Sequence, residues 1–180
     1  MNRQVPLCVD VRTSRTASAL DNKFQKQGAL MTKRRVNVRG IIWRNGKLLA
    51  VKHKTNSGEA NYWAIPGGGL DPMESLAAGI VRELVEETGV TPRVGKLLFV
   101  QQFGIESKGS NEQLEFFFHI ENPEDFTDID LTKTTHGEAE IARIDFVDPT
   151  SERVLPEFLT KIDIKSYIVS DKPVYFYSEI

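Results

Sequence analysis

A single cysteine, Cys8, stands in 180 residues, so no intrachain disulfide can form and no cysteine-rich zinc site can be assembled. That usage suits a reducing compartment. No uninterrupted apolar run approaches the roughly 20 residues that span a bilayer, and the opening Met1-Asn2-Arg3-Gln4-Val5 lacks the apolar region of a secretory signal. The expectation is a soluble, cytoplasmic protein without a membrane partner. Charge of one sign is also missing: 23 basic side chains face 25 acidic ones, for a net charge of -2 and a pI near 6.0. A strongly cationic face for nucleic acid is therefore not expected. What is present suffices for one domain, because hydrophobic residues make up 40% and a chain of this length buries roughly two-thirds of its unfolded surface.

Residues 1–33 are polar and show no sustained helix or strand period. They read as a loose N-terminal extension rather than a transit peptide, since Asp10 and Asp21 are out of place in the latter, and Met31 offers an alternative start. The domain is expected over 34–180. Regular patterning begins with Val36 to Trp43 and Lys47 to Val51, which flank Asn45-Gly46, a hairpin signal because the pair accepts the positive φ of a tight primed turn. Trp63-Ala64-Ile65-Pro66 then leads into Gly67-Gly68-Gly69. A helix is predicted from Ser75 to Thr88, with Ser75 as N-cap and Gly89 past its end. Lys96 to Ile105, Glu112 to Glu121 and Ile141 to Val147 read as strands, with a turn at Ser107 to Asn111. A short helix over Leu155 to Ile162 and a last strand at Val174 to Tyr177 complete the pattern.

On the predicted helix Glu83, Glu86 and Glu87 stand at i, i+3 and i+4 and share one side, while Ala77, Val81, Leu84, Val85 and Thr88 form the apolar face. Like charges at this spacing repel, and two lie near the negative end of the helix dipole. A hard divalent cation accounts for such a cluster, because Mg²⁺ takes carboxylate oxygens and shares its shell with phosphate. The bland alternative is a solvated acidic face. Ahead of the helix the glycines lack both G-x-x-x-x-G-K-[ST] and G-x-G-x-x-G, so neither of those phosphate cradles is in use. Arg82 can hold a carboxylate in a two-pronged bond. His53, His119 and His136 are scattered and read as core or surface residues rather than metal ligands.

Taken as one string, Gly68, five residues, Glu74, seven residues and Arg82-Glu83-Leu84-Val85-Glu86-Glu87-Thr88-Gly89-Val90 resembles the Nudix box, G-x(5)-E-x(7)-R-E-U-x-E-E-x-G-U with U aliphatic. Every defined position is matched, and a chance match has a probability of order 10⁻⁷ at average residue usage. The resemblance implies an α/β Nudix fold, an α/β/α sandwich around a mixed β-sheet. It also implies hydrolysis of a nucleoside diphosphate linked to another moiety, with Mg²⁺ or Mn²⁺ as cofactor.

On this resemblance Glu83, Glu86 and Glu87 are metal ligands, the Gly68 carbonyl completes the shell, and Glu74 supports them. Arg82, Glu83 and Glu86 form the catalytic set, with Arg82 orienting a glutamate. The general base lies in the box, as Glu83 or Glu86, or in a later loop, as Glu138 or Glu140. Arg39, Trp63 and Phe103 are candidates to line a nucleotide pocket, by phosphate contact and by stacking, whereas Trp43 and Phe116 to Phe118 read as core. The partner is a nucleotide-type small molecule. Dimers are common in the family, yet no feature of this sequence reports one. Between Pro92 and Pro123 there is neither the proline typical of ADP-ribose hydrolases nor the tyrosine of dinucleoside polyphosphate hydrolases. The NADH-hydrolase and coenzyme A signatures are also absent. These absences favour a nucleoside triphosphate or modified nucleotide, with ADP-ribose or a nucleotide sugar as runner-up. A non-catalytic nucleotide sensor is the rival class; such a protein is expected to lose box glutamates, and this chain keeps them all.

Overall fold

Asn45 and Gly46 take positive φ, 51° and 82°, and join two antiparallel strands, β2 (Trp43–Arg44) and β3 (Lys47–Thr55), with Trp43 opposite Leu48. The structure is a computed structural model that describes residues 34–105 and 111–179. The extension expected over 1–33 and the turn residues 107–110 lie outside the described residues. The hairpin is shorter than its sequence pattern, because β1 (Arg34–Ile41) leaves it for another sheet. Residues 66–70 occupy the edge of β1 that would otherwise face β3. Val38 N donates to Gly68 O at 2.9 Å, Gly40 N to Pro66 O at 2.9 Å, and Leu70 N to Val36 O at 3.0 Å.

The first sheet is four-stranded and mixed, in the order β1-β7-β6-β10. Here β6 is Val94–Ile105, β7 is Asn111–Ile120 and β10 is Tyr175–Ser178. β7 and β6 are antiparallel, while β1 joins β7 and β10 joins β6 in parallel. The second sheet gathers on β3, which pairs with β2, β4 (Gly58–Glu59), β5 (Trp63–Ala64) and β8 (Ile141–Val147). β9 (Val154–Leu155) extends it beside β5.

The helix α1 (Leu76–Thr88) starts where Ser75 accepts from Ala78 N and ends at Gly89 with φ 73°, as the sequence requires. Its buried stripe is rotated from the expected one. Gly79, Ile80, Leu84, Glu87 and Thr88 are buried, whereas Ala77 and Val85 are exposed. The reason is that α1 is covered by two neighbours: β1, where a Cβ on Gly40 would meet Leu84 at 2.9 Å, and the glycine loop, which covers the side bearing Glu83 and Glu87. Ile80 and Leu84 join Val38, Ile42, Leu49, Ile120 and Phe126 in one apolar cluster.

A second cluster fills the space on the other side of the first sheet, around Ile41, Leu48, Ile65, Phe99, Phe117 and Phe158. Over Leu155 to Ile162 the expected helix is replaced by β9 and a 3₁₀ turn at Glu157–Thr160, because the residue before Pro156 is turned away from helical dihedrals. After the short helix α2 (Gly137–Glu140), the last helix, α3 (Ile164–Val169), starts where Asp163 accepts from Ser166 N at 3.2 Å, and its Tyr167 packs on Phe99 with centroids 5.1 Å apart. Helices thus cover both faces of a mixed sheet, the α/β arrangement that the sequence implies. Among the described residues no helix is long and apolar enough to cross a membrane.

Candidate active site

Arg82 is the hub of the acidic cluster. Its guanidinium grips Glu74 with two parallel bonds of 2.9 and 2.8 Å, and its Nη1 reaches Glu83 at 2.8 Å and Glu86 at 3.1 Å. The remaining donor capacity goes to the Gly69 carbonyl at 2.9 Å, which ties the helix to the loop. Three carboxylates that would repel are drawn together by one cation. That grip, with help from Asp71 N, holds the Glu74 carboxyl far below the usual carboxylate range, at about 2, and raises Arg82 in turn.

Glu87 points the other way and is 6% exposed. Gly67 N donates to its Oε2 at 2.7 Å. Burial pushes the Glu87 carboxyl up to about 8; the Gly67 N–H and Arg39 oppose that rise, while Glu83 and Glu140 add to it. Glu83 lies against Gly68 so closely that a Cβ there would stand 2.6 Å from its carboxyl carbon. Only a glycine leaves this contact open. The Gly68 carbonyl accepts from Val38 N at 2.9 Å and keeps a second lone pair.

Glu83 borders a cradle that a side chain at position 68 would fill, and the hard oxygen donors of Glu83, Glu86, Glu87 and the Gly68 carbonyl have the chemistry that suits Mg²⁺ or Mn²⁺. Among the described residues no three acidic or histidine side chains already stand in metal-binding geometry.

The other candidates fall in different places. Glu138 and Glu140 lie on the short helix α2 (Gly137–Glu140), both exposed. Glu140 acts electrostatically on Glu87 and its main-chain carbonyl accepts from the His53 ring, whereas the Glu138 carbonyl accepts from Lys54 Nζ. Arg39 donates to Glu115 Oε1 at 3.1 and 2.9 Å, to Ile65 O at 3.3 Å and to Gly67 O. It and Phe103 line a cavity of about 470 Å³ beside the box. Trp63 does not line it: that ring is 4% exposed in the core, with its Nε1 on Glu152 at 3.2 Å, and the neighbouring Tyr62 faces the cavity instead. His136, outside the expected site, sets its Nδ1 3.2 Å from Glu86. Gln101 and Glu115, also on the cavity wall, were signalled only by being polar at inward strand positions.

The sequence profile of the NUDIX domain matches residues 33–166. The chain is 42% identical over 65 residues to an ADP-ribose pyrophosphatase of Methanocaldococcus jannaschii, covering 36% of this chain and 38% of that protein. It is 38% identical over 65 residues to a CTP pyrophosphohydrolase of Escherichia coli, covering 36% and 48%. The match thus spans less than half the length of either relative. In fold it is similar to the E. coli ORF135 protein, with TM-score 0.59 and 24% identity over 79% of this chain and 96% of that one. A MutT NUDIX hydrolase from Burkholderia pseudomallei gives TM-score 0.55 and 19% identity over 71% and 95%.

Proposed function

Because the chain belongs to the NUDIX domain family, we propose that it is a divalent-metal-dependent pyrophosphohydrolase that cleaves a phosphoanhydride bond of a nucleotide, with 34–180 as the working domain. The observation that carries this reading is the Arg82 hub, which holds Glu74, Glu83 and Glu86 together beside the buried Glu87 and next to a cavity large enough for a nucleoside.

Glu83, Glu86, Glu87 and the Gly68 carbonyl would hold Mg²⁺ or Mn²⁺, which supplies charge neutralisation at phosphate oxygens and Lewis-acid assistance to hydrolysis. The chain's own contribution is positioning. Glu74 fixes Arg82, and Arg82 fixes the rotamers of Glu83 and Glu86, so that little ordering remains when substrate arrives. Arg39 anchors the glycine loop through Gly67 O and brings a positive charge to the cavity edge, on the side where the pyrophosphate would enter. The proton acceptor is Glu83 or Glu86 of the box, or Glu138 or Glu140 of α2, of which Glu140 lies near enough to act on the charge of Glu87.

The relatives named for CTP and for ADP-ribose support a nucleotide-type substrate. A nucleoside triphosphate or modified nucleotide is the first reading, in keeping with the absence of proline between Pro92 and Pro123. ADP-ribose or a nucleotide sugar is the second, favoured by the name of the archaeal relative. The test is phosphate and pyrophosphate release from a panel of triphosphates, oxidised nucleotides, ADP-ribose and nucleotide sugars, with and without Mg²⁺, beside Glu86→Gln. Metal-dependent turnover that drops at least a hundredfold in the variant is expected. Nucleotide binding without any turnover would sink the hydrolase reading in favour of a sensor.

A further inference from the structure

The face of the first sheet that holds Phe99 and Phe117 changes character within one row of residues. Phe99 pairs with Phe117 across β6 and β7, and both are fully buried in the core. Two residues along, Gln101 pairs with Glu115; Tyr177 of β10 stands beside Gln101, and Asn37 of β1 beside Glu115. A polar row of Tyr177, Gln101, Glu115 and Asn37 therefore crosses all four strands, on the face where alternation would otherwise continue the apolar core. Asn37, Gln101 and Glu115 are each at most 6% exposed, so none of them is a solvated residue.

Most of this row is satisfied internally. Asn37 donates to Gln113 at 2.9 Å and to Glu115 Oε1 at 3.3 Å, and Arg39 bonds the same Oε1. One acceptor is left over: Oε1 of Gln101 is buried without a hydrogen-bond partner. Beside it, the bonds that Glu115 accepts from Asn37 and Arg39 fall on its Oε1. Gln101 and Glu115 both line the cavity beside the box, and as cross-strand partners on one face their Cβ atoms lie about 5 Å apart. A buried acceptor left unpaired costs stability, and a site built to bond a substrate group rejects the analogue that lacks it. The walls around the pair are aromatic: Tyr62, Phe103, and Tyr177, whose ring is stacked on Phe158 at 5.3 Å.

We propose that Gln101 and Glu115 form a base-reading pair that selects nucleotides whose base carries an exocyclic amino group. The proposal rests on the nucleotide reading of the preceding subsection and names the class of base. An amino group offers two hydrogens, one for Gln101 Oε1 and one for the adjacent Glu115 carboxylate. The ring nitrogen next to it in cytosine or adenine accepts from the Gln101 amide. A base with a carbonyl at that position sets an oxygen against the Glu115 carboxylate and is rejected. The aromatic walls hold the ring plane. Tyr177 lies beyond residues 33–166, so part of this selectivity comes from the C-terminal strand outside the matched family region.

The test uses monophosphates that differ only in the exchanged group. Dissociation constants of CMP against UMP, and of AMP against IMP, are measured by calorimetry on the full chain in Mg²⁺, beside hydrolysis of the four triphosphates. The amino member of each pair is expected to bind at least about tenfold more tightly, and Gln101→Met is expected to shrink that gap below about threefold. Should that variant fail to fold, Gln101→Asn withdraws the amide by one methylene and serves the same comparison. Equal binding within each pair, no binding of any monophosphate, or a gap that survives in the variant would overturn the proposal. Hydrolysis without base discrimination would leave the proposed activity standing and remove only this inference. Amino-selective binding without hydrolysis would do the reverse.

Discussion

The carboxyl groups of the site are shifted in opposite directions by their surroundings. Glu87 shows this most directly, because burial lifts its carboxyl to about 8 from an ordinary 4.5. A carboxyl raised in the folded state stabilises that state below the ordinary value, and the contribution fades as pH climbs from 4.5 to 8. Metal-free protein should therefore lose stability across that window, by a few kcal/mol, while Glu87→Gln does not; urea midpoints measured against pH check this, and parallel curves would refute it. Glu74 has the opposite sign. Its carboxyl is held at about 2 by Arg82, so the stabilisation is complete above 4.5 and is lost as pH falls toward 2. Gly68→Ala makes the third case. The added Cβ, 2.6 Å from the Glu83 carboxyl carbon, must displace that group, so hydrolysis should fall at least tenfold while the melting temperature barely moves.

At the scale of the element, α1 depends on its two ends. Ser75→Ala removes the acceptor for Ala78 N and is expected to cost about 1 kcal/mol, and Gly89→Ala places a Cβ at φ 73° for a similar cost; denaturant titration reads both. These caps were legible in the sequence because they are local. So were the Asn45-Gly46 turn and the strand Ile141–Val147, whose chemistry or alternation fixes them without reference to the rest of the chain. The face of α1 was less so. Its wheel assumes one covering neighbour, whereas the glycine loop covers a second side and draws Glu87 inside, a long-range fact absent from residues 76–88. Likewise β1 reads as half of a hairpin until residues 66–70 claim its edge. The box glutamates could be read from their spacing, but Gln101, Glu115 and Tyr177 could not. Their row exists only through pairing of four strands, two of them joined in parallel across long stretches of chain.

For the whole molecule, the cavity and the core are two parts of one interlayer space, and Phe158 stands where they meet. It follows β9 of the second sheet and packs edge-on against Phe99 and Phe117 of the first, with centroids 5.7 Å away in each case. On the other side its ring stacks on Tyr177, which faces the cavity. Truncation to alanine should cost about 3–5 kcal/mol, since the void cannot collapse between two hydrogen-bonded sheets. Phe158→Leu keeps most of the volume and separates stability from function. That variant should fold with a modest loss, yet leave Tyr177 without its stacking partner and so loosen the cavity wall. The glutamates sit on α1, which packs with the other apolar cluster, away from Phe158, and are held by Arg82 and Gly67, so the change is expected to leave them in place. Steady-state kinetics should then show KM rising several-fold with kcat nearly constant, because only binding of the nucleoside is weakened. An equal fall in kcat would mean that packing at Phe158 reaches the carboxylates themselves, and that the two halves of the site are less independent than the strand pairing implies.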